Sequence, residues 1–403
     1  MTRNNDPILV VGGGLGGAAV ALALGRKGFA VRLLEEAPEF GVIGYGIQLG
    51  PNVFPMFDRL GITDAVLAAA LRPKAILMVD SIDGGVIARI PTGDAFVKRF
   101  KRPYVVIHRV DLHTALLDAC RALPNVELVP HTGAQSFENL GSGVRISTKD
   151  GRTFEGSALI GADGLRSTIR QQMLDEGEPR TIGYVAHRTI VPMADVTFDV
   201  DRDDVVLWSG NGFHIVHYPL RNHTLFNVVT VFKTLNAQPT DTESPHPDLA
   251  HVYRDSHPTM KALWAMMDLS RRGWVSSDRD PIRHWSQERV TLLGDAAHPT
   301  LQTLAQGACM AIEDAVCLAG LIEGTSAGEI AGAFRQYERA RYLRTARVQF
   351  ESRYHWDNFY HVGGIEREVA RAIWSGKTAD EMYDCVAWLY DGFPLPEPHR
   401  SAA

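Results

Sequence analysis

Pro7-Ile8-Leu9-Val10-Val11 runs without a polar side chain into Gly12-Gly13-Gly14-Leu15-Gly16-Gly17, and no other stretch of the 403 residues constrains the fold as tightly. A strand that is apolar on both faces belongs inside a parallel sheet covered by helices. The helix that must follow is written in Ala18 to Leu24, and a second apolar run from Ala30 delivers Glu35. Glu35 stands 23 residues beyond Gly12, close to the separation of about 20 in a dinucleotide-binding strand–helix–strand unit. Gly12 permits the tight turn, Gly14 lets the backbone approach a pyrophosphate, and Gly17 lets helix and strand pack closely. An acid such as Glu35 accepts hydrogen bonds from ribose hydroxyls. The spacing therefore predicts one dinucleotide held by Gly12, Gly14, Leu15, Gly17 and Glu35.

Two later stretches repeat the design of an apolar strand ending in small residues and a carboxylate. Leu159-Ile160-Gly161-Ala162-Asp163-Gly164 leads to a helix with Ser167 at its N-cap. Val290 to Leu293 ends at Gly294-Asp295-Ala296-Ala297-His298-Pro299, and helical spacing resumes from Gly307 through Ala308, Ile312, Ala315 and Ala319. A carboxylate at a strand end and a helix N-terminus thus aim at one place, where an open α/β sheet binds ligands and a helix start favours negative charge. The glycine-rich stretch Gly41 to Asn52, with Gly46, Ile47 and Gln48 at its centre, implies backbone lying close to something flat or crowded. Arg109 falls at a strand–helix junction, within reach of a phosphate. No second GxGxxG follows a strand, so any further dinucleotide binds transiently.

From about Ile182 to Phe232 the texture changes to alternating β-branched and aromatic residues, which predicts an antiparallel sheet in a second domain. Lys74 to Ile90 reads as a hairpin through Asp83-Gly84-Gly85. Pro239 to Pro258 reads as polar loop with one helix. After Tyr337 one long helical region is expected, whose aromatic stripe is assigned to core or subunit contact. A net charge of −6 leaves no footprint for nucleic acid. Cys120, Cys309, Cys317 and Cys385 form no metal-ligand spacing and read as reduced core residues. No metal site is expected. A polar start and the lack of any apolar run of about 18 residues predict a cytoplasmic protein without a membrane span.

GxGxxG with Glu35, Gly161-Ala162-Asp163-Gly164 and Gly294-Asp295-Ala296-Ala297-His298-Pro299, in that order, resemble the single-component FAD-dependent aromatic hydroxylases of the para-hydroxybenzoate hydroxylase type. The resemblance spans roughly residues 7 to 350. It implies an α/β chain, α+β overall, with a Rossmann-like FAD-binding domain, an interleaved antiparallel-sheet substrate domain and C-terminal helices. The boundaries expected are 1–74, 103–180 and 288–345 for FAD, 75–102 and 181–287 for substrate, and 346–403 for the helical region. By this resemblance Arg109, Asp163 and Asp295 lie near the ribityl chain and pyrophosphate. The Gly307–Ala308 helix start then faces the pyrimidine edge of the flavin. Such enzymes reduce FAD with NADH or NADPH, form a C4a-hydroperoxyflavin with O2, and transfer one oxygen to an activated ring.

Within the family the likeness is greatest to the 3-hydroxybenzoate 6-hydroxylases, with salicylate hydroxylases and 6-hydroxynicotinate 3-monooxygenases as near alternatives. A dehydrogenase or reductase on the same fold is the alternative from another class. In Phe213-His214-Ile215-Val216-His217-Tyr218-Pro219, strand alternation puts His214, Val216 and Tyr218 on one face. The resemblance makes His214 the base for a phenol and Tyr218 the partner of a carboxylate, while His217 is left to the core. Gln302 stands where many salicylate hydroxylases carry proline, and its amide can donate to a phenolate. A histidine near pKa 6.5 facing a phenol near 10 leaves proton transfer uphill by about 5 kcal/mol, which a preorganised donor offsets. The expected partners are a small aromatic acid and O2, with a homodimer through the aromatic C-terminal region.

Overall fold

The computed structural model describes residues 6–41, 44–234, 253–268, 273–326 and 328–396. Its first sheet has the spatial order Ser286–Gln287, Val290–Leu292, Ala158–Gly161, Ile8–Val11, Val31–Leu34, Val126–Val129. All neighbours run parallel except the short Ser286–Gln287 strand at one edge. Ile8–Val11 is buried along its whole length, as its unbroken apolar character requires. Helix Leu15–Arg26 packs against helix Gly307–Ile322. Their closeness depends on Gly16, where a Cβ would come within 2.9 Å of Leu293 and 3.2 Å of Ala311. The three strand ends singled out above, at Gly12, Gly161 and Leu292, are consecutive neighbours in this sheet.

A second sheet of seven strands has the order Trp274–Asp278, Arg180–Pro192, Leu225–Lys233, Phe213–Leu220, Val205–Gly210, Ala75–Asp80, Val86–Pro91. It is mixed rather than antiparallel throughout, because Val205–Gly210 runs parallel to Ala75–Asp80. Over a hundred residues of chain separate these two strands, so no tight turn dictates their direction. Two small sheets complete the set: Thr153–Gly156, Val144–Thr148 and Ala134–Asn139 in one, Gly46–Leu49 and Val105–His108 in the other. The second of these carries the glycine-rich stretch between the two large sheets, and Gly46 N donates to Asn227 Oδ1 at 2.9 Å.

The C-terminal region is helical, as expected, and is divided into several helices. Helix Ile330–His355 opens into a π-helical turn at Trp356–Tyr360, and helices Gly364–Trp374 and Ala379–Tyr390 follow. Gly364 at φ +54° and Gly376 at φ +93° make the breaks, a conformation costly for residues with a Cβ. Helix Pro258–Ala265 is seen, while the polar segment 235–252 lies outside the described residues. Cys120, Cys309 and Cys317 are buried, but Cys385 is exposed on the last helix and is no core residue. Among the described residues no helix is long and apolar enough to cross a membrane.

Candidate active site

A cavity of about 940 Å³ lies between the two large sheets and reaches the C-terminal helices. Its nucleotide end is built on the glycine loop. Gly12 has φ +100°, and a Cβ there would sit 2.4 Å from the Ala162 carbonyl oxygen. A Cβ on Gly17 would lie 1.8 Å from the Gly12 oxygen, so only glycine lets helix Leu15–Arg26 start this close to its strand. At Gly14, by contrast, a Cβ would meet nothing within 4 Å, because that position faces the cavity together with Leu15. The Glu35 carboxylate accepts from Gly13 N at 2.6 Å and Ala37 N at 2.7 Å, which fastens the second strand end to the loop. Asp163 is turned another way: its oxygens accept from Ser167 Oγ and Ile169 N at the start of helix Thr168–Leu174. Ala162 and Gly164 line the cavity in its place.

Asp295, Arg109, Gly307 and Ala308 also line the cavity, together with Gly46, Ile47 and Gln48. Asp295 presents open surface to the cavity yet is walled in by protein. That desolvation raises its pKa, while His298 and Arg109 oppose the rise. Helix Gly307–Ile322 begins with no side-chain cap, so its first-turn amides point at the cavity without a side-chain acceptor. Such a helix start favours an anion or an electron-rich ring edge.

The loop between Gly294 and Gly307 is held from behind by a buried ionic cluster. Asp314 Oδ2 accepts from His298 Nε2 at 2.6 Å and from Gly294 N at 3.1 Å. Arg341 bridges Asp314 and Glu313, with both N–O distances at 2.7 Å. Arg344 adds a second cation to Glu313. Asn52 Nδ2 ties Glu313 at 2.9 Å to the Gln306 side chain at 3.0 Å. Both ends of the loop are thereby fixed to one helix and its neighbour. Burial alone would push Asp314 up, but His298 and Arg341 outweigh it and hold the carboxyl at about 2. The signal for this cluster was present in the sequence as Glu313-Asp314 inside an otherwise apolar helix.

At the far end His214, Val216 and Tyr218 line the cavity from one strand face. His214 is only 1% exposed, and burial followed by the neighbouring His361 pushes its pKa well below the usual histidine value. Burial raises the Tyr218 phenol, so it remains a hydroxyl donor at neutral pH. His217, on the opposite face, accepts from Trp208 Nε1 at 3.1 Å inside the sheet. Gln302 enters from a single 3-10 turn, Gln302–Leu304, and its Oε1 accepts from Arg188 Nη2 at 3.1 Å.

Arg188 and Tyr360 also line this end, and sequence reasoning missed both. Arg188 has no carboxylate partner among the described residues; burial lowers its pKa, and its guanidinium lies over the Tyr45 ring, 5.9 Å from the centroid. Tyr360 donates to the Thr303 carbonyl at 2.7 Å and packs edge-on to His214 at 5.2 Å. Part of the C-terminal aromatic stripe therefore encloses the site and is not only core.

These features fit an FAD. Gly14 offers room where a phosphate approaches, Asp295 and Arg109 flank the middle, and uncapped helix amides face the far edge. The fold and the cavity thus define a flavoprotein, with His214, Tyr218, Gln302 and Arg188 lining the same cavity as the glycine loop. Residues 6–349 match the FAD binding domain family. The chain is 42% identical over 385 residues to a 3-hydroxybenzoate 6-hydroxylase of Polaromonas naphthalenivorans (strain CJ2), covering 95% of each. It is 36% identical to a 6-hydroxynicotinate 3-monooxygenase of Bordetella bronchiseptica, covering 85% of this chain and 89% of the relative. Among solved structures, Klebsiella pneumoniae HpxO complexed with FAD and uric acid superposes with a TM-score of 0.85 at 23% identity, over 98% of this chain and 99% of that one. The chain belongs to the FAD-dependent aromatic hydroxylases, and FAD is its cofactor.

Proposed function

We propose that this enzyme hydroxylates 3-hydroxybenzoate para to its hydroxyl, giving 2,5-dihydroxybenzoate (gentisate), with NADH and O2 as co-substrates. In balance, 3-hydroxybenzoate, NADH, O2 and a proton give gentisate, NAD⁺ and water. The observation that carries this reading is that His214, Gln302 and Tyr218 line the same cavity as the glycine loop. The 42% identical relative named for the same reaction supports it. Bound FAD, once reduced, supplies the electrophilic oxygen; the chain's own groups prepare the ring.

Neutral His214 takes the phenolic proton at a ring nitrogen. Gln302 donates its amide to the phenolate oxygen as charge develops there, and the Tyr218 hydroxyl holds the carboxylate. Deprotonation pushes electron density to the carbon para to the oxygen, which is C6 of 3-hydroxybenzoate. The depressed pKa of His214 makes it a weaker base than a free imidazole, so stabilising the phenolate matters more than 5 kcal/mol of ordinary mismatch implies. Arg188, a half-buried cation bonded to Gln302, supplies that further stabilisation.

Glu35 with Gly12, Gly14, Leu15 and Gly17 holds the ADP half of the cofactor, and Arg109 and Asp295 its centre. Asp163 acts by fixing the helix that borders this centre. Exposed Leu343, Phe350, Ile365 and Val369 on two C-terminal helices support a homodimer through that face, and sedimentation velocity tests it. Oxygen-dependent NADH oxidation with product identification tests the reaction.

A further inference from the structure

His214 Nδ1 lies 2.7 Å from His361 Nε2, and His361 Nδ1 lies 3.0 Å from the Trp356 carbonyl oxygen. A carbonyl only accepts, so His361 Nδ1 must carry its hydrogen. A neutral imidazole has one N–H, which leaves His361 Nε2 as an acceptor and requires His214 Nδ1 to be the donor. The remaining nitrogen of His214, Nε2, then holds a free lone pair. His214 lines the cavity, and no bond from its Nε2 to protein is found among the described residues. Burial keeps His361 neutral, its pKa held at about 3.

Aromatic rings pack around the pair on several sides. Trp356 and Tyr184 pack tilted against His361 at 4.5 and 4.6 Å, while Trp356 and Tyr360 stand edge-on to His214 at 5.6 and 5.2 Å. No carboxylate bonds to either imidazole among the described residues. The usual orienter of a catalytic histidine, an acid on the distal nitrogen, is here replaced by a second neutral histidine anchored on a backbone carbonyl.

We propose that His361 is a positioning residue that fixes His214 in the Nδ1–H tautomer, so that Nε2 is the atom that receives the phenolic proton. This rests on the reading of His214 as the base. In the step, the phenol O–H bond breaks, its electron pair stays on oxygen, and an Nε2–H bond forms on His214. The cationic imidazole then donates from Nδ1 to the lone pair of His361, which needs no change of tautomer to receive it. The opposite tautomer would offer a hydrogen to the phenol and could not accept one.

The test uses FAD-loaded full-length enzyme carrying His361→Phe or His361→Gln. Phenylalanine keeps the ring volume and removes the acceptor; glutamine returns an oxygen acceptor to the same reach. Nitrogen-15 NMR of labelled histidines, with His214 assigned by its loss in His214→Gln, reads the tautomer without substrate. The expected result is His214 protonated at Nδ1 in the parent and shifted towards Nε2–H in His361→Phe. The kcat of His361→Phe for 3-hydroxybenzoate falls about a hundredfold, with KM within about threefold, and His361→Gln recovers most of it. An unchanged tautomer or unchanged kcat in His361→Phe overturns the proposal. So does a loss shared equally by His361→Gln at full flavin content, which marks packing alone. Failure of the parent to turn over 3-hydroxybenzoate overturns the substrate reading instead, and the NMR still decides the tautomer.

Discussion

Arg188 Nη2 donates to Gln302 Oε1 across 3.1 Å, and this single bond decides which way the glutamine amide faces. Arginine has donors only, so the amide oxygen must turn to it and the two amide hydrogens are left for the cavity. A glutamine without that neighbour could as well present its oxygen to a phenolate and repel it.

Replacing Gln302 by leucine removes the donor and is expected to lower kcat/KM by about 10²–10³, read from steady-state kinetics. Arg188→Met keeps much of the volume but frees the amide to turn. Because the two act as one unit, the double variant should lose far less than the product of the single losses. Strict additivity would separate Arg188 from Gln302.

As the proposed base, His214 is expected to govern the acid side of the pH profile. Its pKa lies well below 6.5 because of burial and the adjacent His361, with Tyr360 and Trp356 as its other close neighbours. A base that is active when neutral stays active until pH falls through that lowered value. The kcat/KM profile, which reports the free enzyme, should therefore show no loss at pH 6.5 and should decline only at lower pH. A limb centred at 6.5 would contradict this.

Two glycines of the first loop separate cofactor binding from folding. Gly17→Ala places a methyl group 1.8 Å from the Gly12 oxygen, so the protein should lose both flavin and thermal stability. Gly14→Ala meets no protein atom within 4 Å and should leave the melting temperature of the flavin-free protein unchanged while weakening FAD. Flavin absorbance and differential scanning calorimetry distinguish them.

The buried cluster sets acid stability. Asp314 has a folded pKa of about 2 against 3.8 for a free side chain, a difference worth about 2 kcal/mol. Because the folded value is the lower one, that contribution is complete above pH 5 and disappears as pH falls from about 4 to 2. Asp314→Asn should cost about 3–5 kcal/mol at neutral pH, since it leaves Arg341 and His298 without their full partner. It should also flatten the fall of stability between about pH 4 and 2, measured by urea unfolding.

The parts of this site visible in the sequence are those written in one local segment. Apolar runs broken by glycine located the strand ends at Gly12, Gly161 and Leu292, and strand alternation put His214 and Tyr218 on one face. Arg188 escaped notice because nothing local distinguishes an arginine that lines a cavity from a surface one on the same strand. His361 escaped because it meets His214 across 147 residues, through a π-helical turn that no periodicity announces. Asp163 shows the converse: the motif was legible, but whether its carboxylate faces the ligand or caps its own helix is a question of rotamer.

The most direct measurement is the product of 3-hydroxybenzoate turnover by the purified, FAD-loaded enzyme with NADH and O2. Gentisate formed in step with NADH and O2 consumption is the expected result. Catechol and CO2 from salicylate, with no gentisate from 3-hydroxybenzoate, would contradict the assignment of Gln302 and His214 to a phenol para to the oxygenated carbon.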